Sequence, residues 1–380
     1  MVFGTIHLII TQVWLLTRLT FDLLNRFLFT HGVGWFVRFM RLMLFVALLF
    51  PAMMYFLWQY IRATNIIRQV EYGRNARNYL DIYLPWPKAT STSPRKPAPV
   101  VIFYTGGAWI IGYKAWNLFV APQLNAAGCL VVSPDYRNFP QGTASDMVED
   151  GSTAVAWVKE HISEYGGDPG NITLVGQSAG AWLVAMLILQ RAATEPMQAG
   201  WSCSDIRSVV AISGPYDIGD PAQVVRFHER GLYKSVLYSI FEGELSRWSP
   251  ARYARGVLQE EAGHLPPIVL MHGAEDKTVP AESSLNFASV LRECGASSVE
   301  SFTFAGKSHT DGIIEDAIVG ANPMMERLLA VVLHSNPDPA RKPAKATAKS
   351  TIVPMQTSKQ QRSGWYPSAL IRLARTTNPF

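Results

Sequence analysis

Residues 172–187 read Ile172-Thr173-Leu174-Val175-Gly176-Gln177-Ser178-Ala179-Gly180-Ala181-Trp182-Leu183-Val184-Ala185-Met186-Leu187. An apolar run leads into a G-x-S-x-G pentad, and a helix-forming run follows it. Strand, pentad, helix is the context of a nucleophile elbow, a tight turn that exposes a serine Oγ at a helix N-terminus. The flanking glycines allow strand and helix backbones to approach closely. Ser178 is therefore the candidate nucleophile.

Such a serine needs an acid and then a base later in the chain. Residues 266–276 (PPIVLMHGAED) form a buried-strand pattern that runs into an acidic pair. Asp276 is the candidate acid, preferred over Glu275 because Lys277-Thr278-Val279-Pro280 puts Asp276 at the turn. Residues 299–304 (VESFTF) alternate like a strand, and Gly306-Lys307-Ser308-His309 ends it. His309 is the candidate base. Each residue alone could be a helix cap or a loop residue; three at successive strand ends, in the required order, argue for a triad.

Upstream, residues 99–104 (PVVIFY) form a continuous apolar strand ahead of Thr105-Gly106-Gly107-Ala108-Trp109. This is where an oxyanion hole draws one of its N–H donors; the other comes from the residue after the nucleophile. Gly106, Gly107 and Ala179 are the candidates, with the choice between the two glycines left open. Trp109 on the same loop and His228 further on are candidate substrate contacts, although His228 could equally make a structural hydrogen bond.

Strand patterns at 78–84 and 208–213, a strand end at 131–137 and a helix pattern at 147–165 alternate along the chain. That rhythm predicts an α/β fold of the α/β-hydrolase type, a mostly parallel sheet covered by helices on both faces. Residues 217–264 break it and carry aromatic runs. They are expected to form a small lid insertion suited to a greasy substrate, with ordinary core packing as the alternative reading.

Residues 42–59 (LMLFVALLFPAMMYFLWQ) hold no charge. As a helix they would extend about 27 Å, close to the hydrocarbon thickness of a bilayer. Arg38, Arg41 and Arg62 flank them, and Trp58 and Tyr60 fall at interfacial depth. Residues 5–29 are apolar but place Arg18, Asp22 and Arg26 on one helix face, which fits either an interfacial helix or a second span. The expected organisation is an N-terminal membrane segment over 1–64, a catalytic domain over 65–335 and a basic, disordered tail over 336–380. Arg62, Arg68, Arg74 and Arg77 after the span, against Arg26, Arg38 and Arg41 before it, favour a cytosolic catalytic domain.

The net charge of +5 is uneven. Residues 335–380 hold eight Lys/Arg and one Asp, so the rest of the chain is mildly acidic. The basic balance thus belongs to the tail and gives no argument for nucleic acid. Within that tail, residues 368–375 (SALIRLAR) could form a short basic amphipathic helix with weak affinity for anionic lipid, or have no role. Cys129, Cys203 and Cys294 show neither C-x-x-C spacing nor a disulfide framework and read as small buried hydrophobes. No metal or cofactor is expected.

The strings 105–116 (TGGAWIIGYKAW), 135–143 (DYRNFPQGT), 176–181 (GQSAGA), 228–233 (HERGLY), 242–244 (EGE), 249–250 (SP) and 306–311 (GKSHTD) together resemble the isoprenylcysteine methylesterases. The resemblance runs from about residue 68 to residue 333 and leaves the tail outside; it also accounts for Thr105 at the head of the glycine loop. It implies a serine esterase of the endoplasmic reticulum and Golgi membranes. The reaction would be hydrolysis of the C-terminal methyl ester of prenylated cysteine, reversing carboxyl methylation, and membrane lipid would be a partner. The rival readings are a broad-specificity membrane carboxylesterase, an arylformamidase-like hydrolase and a non-catalytic scaffold.

Overall fold

The central strands are apolar on consecutive residues because both of their faces are covered. In β3 (Ala98–Tyr104), Val100, Ile102 and Tyr104 enter one core cluster, while Val101 and Phe103 enter a second on the opposite face. The same division holds in β5 (Gly167–Gln177), where Ile172 and Leu174 pack to one side and Val175 to the other. The computed structural model describes residues 14, 17, 18, 32–85, 96–193, 200–257, 262–334, 350–353 and 366–380.

Among the described residues the strands form one nine-stranded sheet in the order β1-β2-β4-β3-β5-β6-β7-β8-β9. The remaining members are β1 (Ile66–Glu71), β2 (Tyr79–Tyr83), β4 (Leu130–Pro134), β6 (Ile206–Ile212), β7 (Ile268–Gly273), β8 (Val299–Phe304) and β9 (Ser350–Val353). β1 and β2 pair antiparallel, as do β2 and β4; from β4 to β9 every pairing is parallel. Parallel neighbours require crossovers, and helices supply them on both faces. The expected α/β-hydrolase architecture is what the chain adopts.

One face carries α3 (Ala144–His161), α4 (Ala179–Ala193) and α8 (Glu282–Glu293); the other carries α2 (Ala121–Ala126) and α10 (Pro323–His334), which the short α9 (Glu315–Val319) precedes in the chain. Every residue of α4 from Ala179 to Leu189 is buried, so the helix behind the elbow is the most enclosed in the fold. Residues 217–257 hold α5 (Pro221–Glu229), α6 (Lys234–Ile240) and α7 (Pro250–Val257). Their apolar residues, among them Phe227, Ile240, Phe241 and Trp248, join the main core cluster.

The apolar N-terminal stretch forms α1 (Gly32–Arg62), with Pro51 inside it. Over Phe39–Arg62 it is long and apolar enough to cross a membrane. It does not stand apart from the catalytic domain. Phe45, Leu49 and Ala52, spaced along one stripe, are buried against Leu118, Phe119, Ala317, Ile318 and Ile371. Tyr60, on the last turn, donates a 2.5 Å hydrogen bond to Asp81 of β2. Phe50, Met54, Trp58 and Ile61 remain exposed on other faces. The helix or second span expected over 5–29 lies, apart from residues 14, 17 and 18, outside the described residues.

Of the basic tail, residues 350–353 and 366–380 are among the described residues. Residues 350–353 add β9 to the sheet edge, pairing Ser350–Val353 with Ser301–Phe304 of β8. Residues 368–377 form α11 (Ser368–Thr377), with Ile371 and Ala374 buried. Residues 368–375, read from sequence as a candidate basic amphipathic helix, fall within α11.

Candidate active site

Parallel strands bring their C-terminal ends to one edge of the sheet, and the loops leaving β3, β5, β7 and β8 meet there. Ser178 follows β5 with φ +55°, left-handed backbone that a non-glycine residue adopts only under local strain. Its N–H donates to Ile212 O at 2.8 Å, and its carbonyl accepts from Ala181 and Trp182, starting α4. An ideal Cβ on Gly176 would fall 2.1 Å from Gly180 O, and one on Gly180 2.1 Å from Tyr104 O. No side chain fits at either position, which is the physical content of the G-x-S-x-G spacing.

His309, on the turn after β8, places Nε2 2.9 Å from Ser178 Oγ and Nδ1 2.6 Å from Asp276 Oδ2. A carboxylate accepts only, so Nδ1 carries the proton and Nε2 is left to accept from the serine hydroxyl. Asp276 Oδ1 accepts from the backbone N–H groups of Thr278 and Val279, each at 2.9 Å. Burial by itself would raise the Asp276 carboxyl, but charge and hydrogen bonding from His309 and His272 outweigh it. They hold the group well below the ordinary carboxylate range. Glu275, the alternative acid, is exposed.

Gly106 lies against the serine. An ideal Cβ there would meet Gln177 Oε1 at 2.4 Å and Ser178 Cβ at 2.8 Å. Ala108 and Trp109, immediately after the two glycines, hold φ +49° and +62°, so this loop is strained like the elbow. Among the described residues no hydrogen bond takes the amides of Gly106, Gly107 or Ala179 as donor. Of the three, Gly106 lies against Ser178 and Ala179 follows it directly in the chain.

A buried polar frame holds the loop. Arg77 Nη2 donates to Gly112 O and to Asp135 Oδ1, both at 2.8 Å, and Asn138 Nδ2 donates to Gly112 O at 2.6 Å. Tyr136 OH donates to Thr105 O at 2.8 Å. Lys114 Nζ sits 2.6 Å from Asp81 Oδ1, with the two side chains 1 % and 0 % exposed.

Trp109 is only 2 % exposed. Its ring meets Trp182, Phe227 and Phe241 edge-on, with centroids 5.0–5.9 Å apart. It backs the glycine loop as packing rather than offering an open face. His228 accepts from Lys234 N–H at 3.2 Å and stands edge-on to Tyr233, the structural alternative of its two readings. Just past the glycine loop in sequence, Ile111, Tyr113 and Trp116 are exposed.

Sequence reasoning missed His272 and Gln177. His272, fully buried in β7, places Nε2 3.1 Å from Asp276 Oδ2 and 2.9 Å from Val279 O. Gln177 Nε2 donates to His309 O at 3.2 Å. The signal for His272 was its spacing four residues before Asp276 in an otherwise apolar strand. Among the described residues no group of three or more His, Cys, Asp or Glu side chains is placed to hold a metal ion.

A family model described as BD-FAE matches residues 80–291. The chain is 39 % identical over 376 residues to the probable isoprenylcysteine alpha-carbonyl methylesterase ICME of Oryza sativa subsp. japonica, covering 97 % of this chain and 84 % of the relative. It is 37 % identical to the isoprenylcysteine alpha-carbonyl methylesterase ICME of Arabidopsis thaliana, covering 97 % and 82 %. Matches of that extent reach beyond residues 68–333 and into the tail, which the reading from sequence had left outside. Esterase LipQ of Mycobacterium tuberculosis is 32 % identical over 60 % of this chain and 53 % of its own length. Among solved structures, a truncated carbohydrate esterase from gut microbiota aligns with TM-score 0.56 at 21 % identity, covering 72 % of this chain and 98 % of that one. The apo form of Thermogutta terrifontis esterase 2 aligns with TM-score 0.53 at 22 % identity, covering 70 % and 92 %. At such identity these two speak for the fold.

Proposed function

The chain belongs to the isoprenylcysteine alpha-carbonyl methylesterase family, and on that premise we propose that it hydrolyses the C-terminal methyl ester of prenylated cysteine. It is a carboxylic ester hydrolase of the α/β-hydrolase type. The observation that carries the mechanism is the unbroken line Ser178 Oγ–His309–Asp276 with the Gly106 backbone packed against the serine.

In this reading Ser178 Oγ attacks the ester carbonyl while His309 Nε2 takes its proton. Asp276 fixes the imidazole tautomer and faces the imidazolium that forms. The carbonyl oxygen, now negative, turns toward the amides of Gly106, Gly107 and Ala179; one such donor is worth about 3 kcal/mol in the transition state. His309 then returns the proton to the departing methoxide, and methanol leaves. Water, deprotonated by the same imidazole, attacks the acyl-enzyme and releases the prenylcysteine carboxylate and free Ser178. The residues present supply every proton transfer.

Two features support a prenyl-bearing substrate at a membrane. Ile111, Tyr113 and Trp116 expose apolar surface just past the glycine loop in sequence, and α1 exposes apolar side chains away from its docked stripe. A prenyl chain gains roughly 0.8 kcal/mol per buried methylene and resides in the bilayer. The location proposed is the endoplasmic reticulum and Golgi membranes, with the catalytic domain cytosolic. A catalytic domain resistant to protease on sealed microsomes would reverse that orientation.

The deciding assay is methanol release from S-farnesylcysteine methyl ester, with Ser178→Ala and a non-prenylated cysteine methyl ester in parallel. Turnover that needs both Ser178 and the prenyl group is expected. Equal turnover on the two esters would favour a general carboxylesterase, a reading that similarity to LipQ keeps in play.

A further inference from the structure

The turn that presents His309 is fastened from outside. Within it, Ser308 N–H donates to Asp311 Oδ2 at 2.8 Å and closes the backbone around the histidine. Asp311 is almost fully buried, and its ion-pair partner among the described residues is Arg375 of α11. Arg375 Nε donates to Asp311 Oδ1 at 2.8 Å, and its Nη2 donates to Asp316. Three residues later, Asn378 sets its amide nitrogen 3.0 Å from Ser308 Oγ, 3.1 Å from Thr310 Oγ1 and 2.7 Å from Glu315 Oε1. Ser308 and Thr310 are the two neighbours of His309 in sequence. One side-chain amide, 7 % exposed, therefore touches both flanks of the histidine.

The same terminal segment has other moorings. Tyr366 OH donates to Leu48 O of α1, and the Phe380 ring stands edge-on to Phe45 with centroids 6.1 Å apart. Arg230, just beyond α5, donates to Pro379 O at 2.9 Å. Arg375 and Asn378 thus sit on an element held at both ends, as a positioning group requires.

We propose that Arg375 and Asn378 are positioning residues for His309, so that the C-terminal segment completes the esterase site. The proposal rests on the reading of His309 as the base. Asp311, Glu315 and Asp316 bring three carboxyls into a nearly dry region beside the turn. Lys307 meets Asp316 at 2.7 Å, while Arg375 bridges Asp316 and Asp311. Without the guanidinium, Asp311 is a buried acceptor without its counter-ion, and it escapes by moving toward water. Since Asp311 also closes the turn, His309 moves with it. Displacements of about 1 Å in a catalytic group can lower a rate a hundredfold. Asn378 guards the same turn by neutral hydrogen bonds, so its removal acts without any change of charge.

The test uses the full-length chain in detergent. Arg375→Ala, Arg375→Lys, Asn378→Ala and Asn378→Ser are compared with wild type for kcat and KM on S-farnesylcysteine methyl ester. Fluorophosphonate labelling rate at Ser178 and thermal midpoint are measured on the same samples. The expected result is a ten- to hundredfold fall in kcat and in labelling rate for the alanine variants, with KM retained. Arg375→Lys should recover part of the loss, because one ammonium can pair with one carboxylate but cannot bridge two. Folded variants with wild-type kcat overturn the proposal. So does activity that falls only in step with the unfolded fraction, which would make the segment a staple and nothing more. If either alanine variant fails to fold, Arg375→Lys and Asn378→Ser are read by the same criteria. His309→Ala separates the two claims: if it labels as fast as wild type, the reading of the base has failed rather than the role of the segment.

Discussion

His272 Nε2 lies 3.1 Å from Asp276 Oδ2, the same oxygen that His309 Nδ1 holds at 2.6 Å. Nε2 is also 2.9 Å from Val279 O, a carbonyl that can only accept, so Nε2 carries the proton. Nδ1 of His272 then accepts from Ser284 Oγ at 2.7 Å. A second, buried imidazole therefore fixes the acid from behind.

Replacing that imidazole should weaken the acid's grip on His309. Hydrogen bonds to charged groups contribute about 1.5–3 kcal/mol. His272→Ala is expected to lower kcat by roughly ten- to a hundredfold on that scale, with substrate KM little changed. Steady-state kinetics on the methyl ester check it, and an undiminished kcat would show that the Thr278 and Val279 amides suffice.

Gly106→Ala tests the close approach of the glycine loop to the serine. The added Cβ would have backbone and side-chain atoms within 2.8 Å, so the loop must retreat. Displacing one oxyanion donor typically costs about 10²–10³ in kcat. A folded Gly106→Ala enzyme with near-normal turnover would move the donor to Gly107.

The Lys114–Asp81 pair predicts a stability effect. Its charges are buried, and Tyr60 and the Gln69 amide also bond to Asp81. Lys114→Met strands the carboxylate, and breaking such a pair costs about 3–5 kcal/mol. Denaturant unfolding should show that loss, with part of it recovered by adding Asp81→Asn. A single variant as stable as wild type would refute the claim.

Glu315 gives a pH dependence of known sign. Burial first, and Asp311 second, raise its carboxyl from the ordinary 4.5. The folded chain then keeps a proton that the unfolded chain releases, so stability falls as pH rises from about 4.5 through the raised value. Glu315→Gln mimics the protonated acid and lacks this slope. The thermal midpoint of wild type relative to the variant should therefore decline across that window and level off above it. A difference independent of pH would disprove the shift.

The triad and the sheet were legible because chemistry and periodicity coincide. Ser178 and Asp276 each follow an apolar run that the parallel sheet buries on both faces, and His309 follows the alternating strand β8. His272 was not legible, since one histidine in a buried strand reads as core until its neighbours in space are known. Trp109 looked like a substrate contact from its place beside the glycines. Only packing against Trp182, Phe227 and Phe241 turns it inward. The docking of α11 was not legible because Arg375 finds Asp311 and Asp316 at separations of 64 and 59 residues, which no local pattern encodes.

The stripe Phe45, Leu49 and Ala52 ties the orientation of α1 to that of the catalytic domain. A catalytic domain hung from the end of a helix could swivel on its linker. One bonded along the helix's flank shares its pose, so tilt or roll of the helix re-aims the mouth of the site by the same angle. On the proposal that the helix sits in lipid, the search for a lipid-bound ester becomes translation in two dimensions at a fixed attack angle. Reach is then set by how deep the ester sits, and two substrates with identical chemistry but different immersion would be hydrolysed at different rates.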